Sequence, residues 1–120
     1  MKRTIGLMVA AAVGLAILAQ AARAGAVGGP KIQDTSVAAY GADNYTLEFW
    51  AGVPARVALK GDGDTDLDLY VYDEFGNLVA SDTDGSDLCA VEWYPRWTGA
   101  FRIRVVNRGP VYNEYRIITN

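Results

Sequence analysis

The chain has no histidine and a single cysteine among its 120 residues. Without histidine there is no Ser-His-Asp triad, no cysteine-histidine nucleophile and no histidine-ligated zinc. The lone thiol, Cys89, cannot close an internal disulfide, so a domain that leaves the cytoplasm must here be held by packing. Ser36, Ser81 and Ser86 lie in no nucleophile-elbow context, and no glycine fingerprint follows a strand and opens a helix. After Gly25 no stretch carries an apolar stripe of helical period. Basic residues are also few, 11 against 14 acidic ones. Nucleic-acid backbones and anionic lipid surfaces both need clustered Lys and Arg, so neither is an expected partner.

What is present divides sharply at residue 24. Lys2 and Arg3 precede an uncharged run, Ile5 to Ala19, of about 15 residues. That is shorter than the roughly 20 a membrane-spanning helix needs. Ala22-Arg23-Ala24 then supplies a small-x-small site. This is the pattern of a secretory signal peptide over 1–24, cut before Gly25, and it predicts export to a bacterial periplasm or beyond the cell. Cleavage removes Lys2, Arg3 and Arg23 and no acid, leaving 8 basic residues against 14 acidic and a formal charge of −6. Residues 25–31, GAVGGPK, read as a flexible leader, and 32–120 as one domain.

From there apolar and polar residues alternate in short runs broken by turn signals. Tyr45, Leu47 and Phe49 form one inward set; Val57 and Leu59, Leu67, Leu69 and Val71, then Cys89, Val91 and Trp93 form others. Phe101, Ile103 and Val105, and finally Tyr115 and Ile117, complete the series. Gly and Pro fall between the runs, at AGVP 51–54, in Asp73–Asn77, around Pro95 to Gly99 and at Asn107 to Pro110. Strands with one apolar face must bury it against a second layer. The prediction is an all-β, small jelly-roll-like β-sandwich of seven or eight strands, with a small barrel as the alternative.

Several of these strands resemble the bacterial pre-peptidase C-terminal domain family. Asp66 to Asp73, DLDLYVYD, is similar to the family's DxDLYVYD strand. Phe75 to Ala80 resembles its xGxLVA turn, Thr98 to Val105 its TGxYxIxV strand with Phe101 in place of Tyr, and Tyr112 to Ile118 its closing strand. The resemblance covers roughly residues 43–120 and implies a jelly-roll sandwich serving an exported protein. Related domains in secreted collagenases bind calcium and matrix protein, which implies binding rather than catalysis. No peptidase domain accompanies the stretch, so a role in delivering an attached enzyme does not carry over.

The densest chemistry lies in GDGDTDLD, residues 61–68, and in DTDGSD, residues 82–87. Calcium takes six to eight hard oxygen ligands from loops that curl round it. Asp62, Asp64, Asp66 and Asp68, with Asp82, Asp84 and Asp87, are therefore candidate calcium ligands, although neither stretch has the EF-hand pattern. A structural reading stands beside it: loop aspartates satisfy turn amides, and Asp66 and Asp68 pair across a sheet with Arg102 and Arg104. A third reading, Asp68 and Glu92 as a glycosidase-type acid pair, needs a substrate cleft that so small a sandwich hardly offers.

A second candidate surface is aromatic. Trp97, Tyr94 and Arg96 share one turn, and Tyr70 and Tyr72 share the polar face of their strand. Exposed Trp, Tyr and Arg are the residue types that anchor protein contacts. They suit an extracellular protein or carbohydrate ligand, while Trp97 as a cap on one end of the sandwich is the plainer reading. Trp93, in alternation with Cys89 and Val91, is expected in the core. The sequence thus predicts a non-enzymatic exported binding or accessory domain steadied by calcium. The alternatives are a purely structural module without metal, and a lectin-like or protein-binding domain acting through Trp97 and the tyrosines.

Overall fold

A computed structural model describes residues 25–120. The expected signal segment, 1–24, lies outside the described residues. Eight strands form: β1 (Lys31–Val37), β2 (Ala42–Phe49), β3 (Ala55–Lys60), β4 (Leu67–Tyr72), β5 (Leu78–Asp82), β6 (Leu88–Trp93), β7 (Gly99–Asn107) and β8 (Asn113–Thr119). They build two antiparallel four-stranded sheets, ordered β1-β8-β3-β6 and β2-β7-β4-β5. Every chain connection crosses between the sheets except the β4–β5 hairpin. That interleaving is the jelly-roll arrangement of a β-sandwich, and no helix occurs among the described residues.

The alternation seen in the sequence sets which face each strand buries. Leu67, Leu69 and Val71 of β4 and Ile103 and Val105 of β7 are sealed from solvent and meet Val57, Leu59 and Cys89 of the facing sheet. At one end of this core Phe49, Trp93 and Phe101 interlock edge-to-face. The Phe49 ring lies 4.9 Å from Trp93 and 5.9 Å from Phe101, centroid to centroid. Cys89 is buried, and its Sγ donates to the Leu67 carbonyl at 3.1 Å. Burial pushes its thiol pKa up to about 12, so it behaves as a small hydrophobe. Toward the other side Tyr115 Oη donates to Asp43 at 2.7 Å and meets the Tyr45 hydroxyl at 2.5 Å, tying β8 of one sheet to β2 of the other.

Two segments differ from the sequence reading. β1 is an element that alternation did not reveal. It is an edge strand, exposed over most of its length, held by full pairing with β8 from Lys31↔Thr119 to Val37↔Asn113. The supposed flexible leader is stitched into the fold at its start. Ala26 is buried and bridged to Phe49; its N–H donates to the Asn120 carbonyl at 2.9 Å, and Trp50 N–H donates to the Gly25 carbonyl at 2.8 Å. Gly25 has no room for a side chain: a Cβ there would lie 2.4 Å from Asn120 Oδ1 and 2.8 Å from Ala55 Cα.

A candidate functional site at the aromatic end of the sandwich

The seven candidate aspartates do not converge. Among the described residues no three acidic or cysteine side chains come together as a metal-holding group. Most of the carboxylates serve backbone instead. Asp62 accepts from Asp64 N at 3.0 Å and from Glu114 N at 2.8 Å, and these amides hold its pKa below the ordinary 3.8. Asp87 Oδ2 accepts from Gly63 N at 2.6 Å and from Asn113 Nδ2 at 3.1 Å. Asp84 caps Ser86, and Asp82 accepts from Ala90 N. No hydrogen bond of the Asp64 side chain is seen among the described residues, and its exposed amide is the one that Asp62 accepts.

Asp66 and Asp68 are different. Asp68 is buried, and its Oδ2 accepts from Arg108 Nε at 2.7 Å; its Oδ1 is buried without a partner, as is Asp66 Oδ1. Desolvation, then the charges of Asp68 and Asp84, raise the Asp66 pKa. The predicted pairing of Asp66 and Asp68 with Arg102 and Arg104 does not form. The register puts Tyr70 opposite Arg104 and Tyr72 opposite Arg102, and Arg108, from the turn after β7, reaches Asp68 instead. The Asp68–Glu92 acid pair fails as well: the two belong to different sheets, and Glu92 is bound to Arg56 at 2.8 Å.

The aromatic candidates divide between two places. Tyr70 and Tyr72 stack on the outer face of β4 with ring centroids 6.4 Å apart, Arg102 lies 4.7 Å over the Tyr72 ring, and Arg108 donates to Tyr70 Oη. Trp97, Tyr94 and Arg96 sit at the end of the sandwich, on the β6–β7 connection. There they face the β4–β5 turn, which the sequence reading did not include in the site. Asp73 organises that turn. Its Oδ1 accepts from Phe75 N and Asn77 N, both at 2.9 Å, and its Oδ2 accepts from Asn77 Nδ2 at 3.1 Å. The pinned turn holds out Phe75, and Glu74 accepts from Trp97 Nε1 at 3.0 Å. Phe75 meets Trp97 edge-on at 5.9 Å. Gly99 makes this closure fit, since a Cβ there would lie 2.7 Å from Glu74 Oε1 and 3.2 Å from Trp97 Cδ1.

Trp97 is therefore both a cap and a surface, at 42% exposure, beside Phe75 at 71% and Tyr94 at 63%. Between the two connections opens a cleft of about 460 Å³, walled by Val79, Tyr94, Pro95 and Trp97, with Trp93 and Phe101 of the core also lining it. Asp73, Asn77 and Arg96 add its polar groups. The signal in the sequence for Phe75 and Glu74 is the Asp-x-x-Gly-Asn turn itself, whose side chain-to-amide bonds force the intervening residues outward.

A jelly-roll sandwich with an aromatic, half-open end is thus the class of structure defined. No family model and no curated protein matches the chain. Among solved structures it is similar to PliG of Aeromonas hydrophila, a periplasmic inhibitor of g-type lysozyme. The TM-score is 0.58 at 16% identity, over 81% of this chain and 86% of that one. It is also similar to the Yersinia pseudotuberculosis-derived mitogen, with a TM-score of 0.51 at 7% identity, over 77% of this chain and 85% of that one. At such identities the likeness is one of fold.

Proposed function

We propose that this protein is an exported, non-enzymatic protein-binding module that engages its partner through the end of the sandwich carrying Phe75, Tyr94, Arg96 and Trp97. One observation carries the reading: three large aromatic side chains stand together in solvent on turns that are themselves pinned by hydrogen bonds. Exposed aromatics on a rigid base lose little entropy on binding and are the usual anchors of protein contacts. PliG offers a precedent for a sandwich of this size acting as a periplasmic protein inhibitor, and the kinship with pre-peptidase C-terminal domains read from residues 66–73 belongs to the same proposal.

The test is capture of partners from envelope and culture-medium fractions by immobilised wild-type protein, identification by mass spectrometry, and titration of the purified partner. Inhibition of a g-type lysozyme is one direct assay. Phe75→Ala and Trp97→Ala are each expected to weaken binding by about 2 kcal/mol, roughly thirtyfold, as hot-spot truncations do. Both variants must melt within a few degrees of wild type. Unchanged affinity in both would refute the surface.

A second reading has its own observation. The partnerless Asp66 Oδ1 and Asp68 Oδ1 form an acidic corner with Asp84 nearby in charge. We propose that calcium is taken there, a narrower set than the seven aspartates of the sequence, since Asp62 has committed both its oxygens to backbone. Bound calcium would supply neutralisation of crowded carboxylates. Asp66 adds a pH dependence. With its folded pKa raised, its stabilising contribution is present below 3.8 and lost as pH rises through the raised value. At neutral pH calcium is expected to lift the melting midpoint, and Asp66→Asn to abolish that lift. Calorimetry showing no heat, with melts unmoved by millimolar calcium, would end this reading.

A further inference from the structure

The outer face of the sheet β1-β8-β3-β6 carries an apolar row at a level where solvated strands ordinarily place polar residues. The register sets Ile32 opposite Ile118, Ile118 opposite Ala58 and Ala58 opposite Ala90, so every strand contributes one apolar side chain to a single line across the sheet. All four lie on the side away from the core, and none lines the aromatic cleft. The row is graded in size. At the β1 end Ile32 and Ile118 stand up as a ridge, 66% and 39% exposed. At the β6 end Ala58 and Ala90 floor a shallow depression of about 430 Å³, bounded by Ile118, Asn120 and the Arg56–Glu92 ion pair. Leu88, exposed two residues before Ala90, extends the apolar ground beside it.

We infer that this face is the contact between two copies of the chain in a weak symmetric dimer. A two-fold axis lying between the copies and running along the strands reverses the row. Ile32 of each copy then stands over Ala90 of the other, and Ile118 over Ala58, so that ridge meets depression twice. An isologous interface requires this self-complementarity, with every contact made in duplicate. An unrelated protein would have to bring both a ridge and a depression in this register, whereas the face supplies both to itself. Charge agrees with shape. In the adjoining row Asp34 lies opposite Arg116, and Arg116 opposite Lys60. Arg116 is held on Asp34 by two bonds, of 2.7 and 3.0 Å, while Lys60 has no carboxylate within ion-pair distance among the described residues. The same reversal brings the exposed Asp34 carboxylate one strand spacing, about 4.8 Å, to the side of Lys60 of the other copy, within a lysine's reach. Asp34 then serves two cations. On the far side of the row Arg56 and Glu92 neutralise each other, so no unpaired charge there opposes a second copy.

Four strands make a contact of the small class, so the expected Kd is on the order of 50 µM. Sedimentation equilibrium of the purified protein, loaded from about tenfold below to about tenfold above that value, is expected to show monomer and dimer in exchange. Ala90→Arg fills the floor of the depression from an exposed position and is expected to raise Kd about tenfold or more, with the melting midpoint unchanged. Lys60→Glu and Asp34→Lys are each expected to weaken self-association about tenfold, since the first sets acid against acid and the second lysine against lysine. Mixed in equal amounts, the two variants are expected to form a heterodimer at wild-type strength, because both symmetry-related pairs are then of opposite sign. A role of Asp34 confined to its own Arg116 would give no such recovery, and the mixture remains decisive even if Ala90→Arg disturbs the fold. A protein that stays monomeric at the highest concentration overturns the inference. So does a dimer indifferent to Ala90→Arg, which would be pairing through the free edge of β1, and so does a mixture that associates no better than its components.

Discussion

Replacing Phe49 with alanine is expected to destabilise the domain by about 3–5 kcal/mol, enough to leave little folded protein at 37 °C. The side chain is fully buried and is the hub of the aromatic cluster, touching both Trp93 and Phe101 edge-on. Its loss removes the transfer energy of the ring and leaves a void between stiff aromatic neighbours that collapse poorly. It also loosens the bridge to Ala26 and the strand facing Gly99. Urea unfolding followed by tryptophan fluorescence gives the number directly. Phe49→Leu, which retains most of the volume, should cost about half as much. A loss below about 1 kcal/mol for the alanine variant would mean that the two sheets close over the gap, and that the cluster is not the keystone described here.

Asn113→Leu is the second large effect, expected at about 3–5 kcal/mol although it exchanges one buried side chain for another of similar branched shape. Asn113 is fully buried at the start of β8. Its Oδ1 accepts from Asp62 N at 3.1 Å. Its Nδ2 donates to Thr65 Oγ1 at 3.0 Å and to Asp87 Oδ2 at 3.1 Å, with a longer bond to the Thr65 carbonyl at 3.3 Å. One amide therefore fastens both acidic loops to the same strand. Leucine leaves the Asp62 amide without its acceptor, takes one donor from the half-buried Asp87 carboxylate, and frees the loops around Asp62 and Asp87. Hydrogen exchange should show the amides of Asp62 and Gly63 losing protection before the strands do. If calcium binds at the Asp66–Asp68 corner, it should bind this variant less well, because the loop leading into the corner is no longer fixed. Intact stability with unaltered loop protection would place the anchoring elsewhere.

How far the sequence could be read follows from where the information lies. Alternation located β2, β3, β4, β6, β7 and β8 because each buries one face, and the inward residues Leu67, Leu69, Val71, Phe101, Ile103 and Val105 are in the core; β5, which buries no residue fully, showed only as the stretch Leu78 to Ala80 after the Asp73–Asn77 turn. β1 escaped because an edge strand with both faces wet has no period to show; its register comes from β8, including Asp34 on Arg116 at 2.7 Å. Gly25 and Ala26 escaped because their docking uses backbone bonds and small size, which composition reads as looseness. Alternate spacing in GDGDTDLD was correctly seen as crowded charge. It could not reveal that Asp62 would turn to amides while Asp68 went under Arg108, since those partners lie 52 and 40 residues away. Trp97 was readable as cap or contact, and its half-exposed position shows why the choice was not forced.

The antiparallel pairing of β1 with β8 also decides how the domain meets mechanical load. Lys31 lies opposite Thr119, so the chain enters and leaves at the same end of that strand pair. Tension applied through residues 25 and 120 would peel the pair open one bond at a time, in a zipper geometry, and would not shear all its bonds together. The Ala26–Asn120 and Trp50–Gly25 bonds sit at the mouth of the zipper as its first teeth. Pulled from both ends, the sandwich should yield at low force.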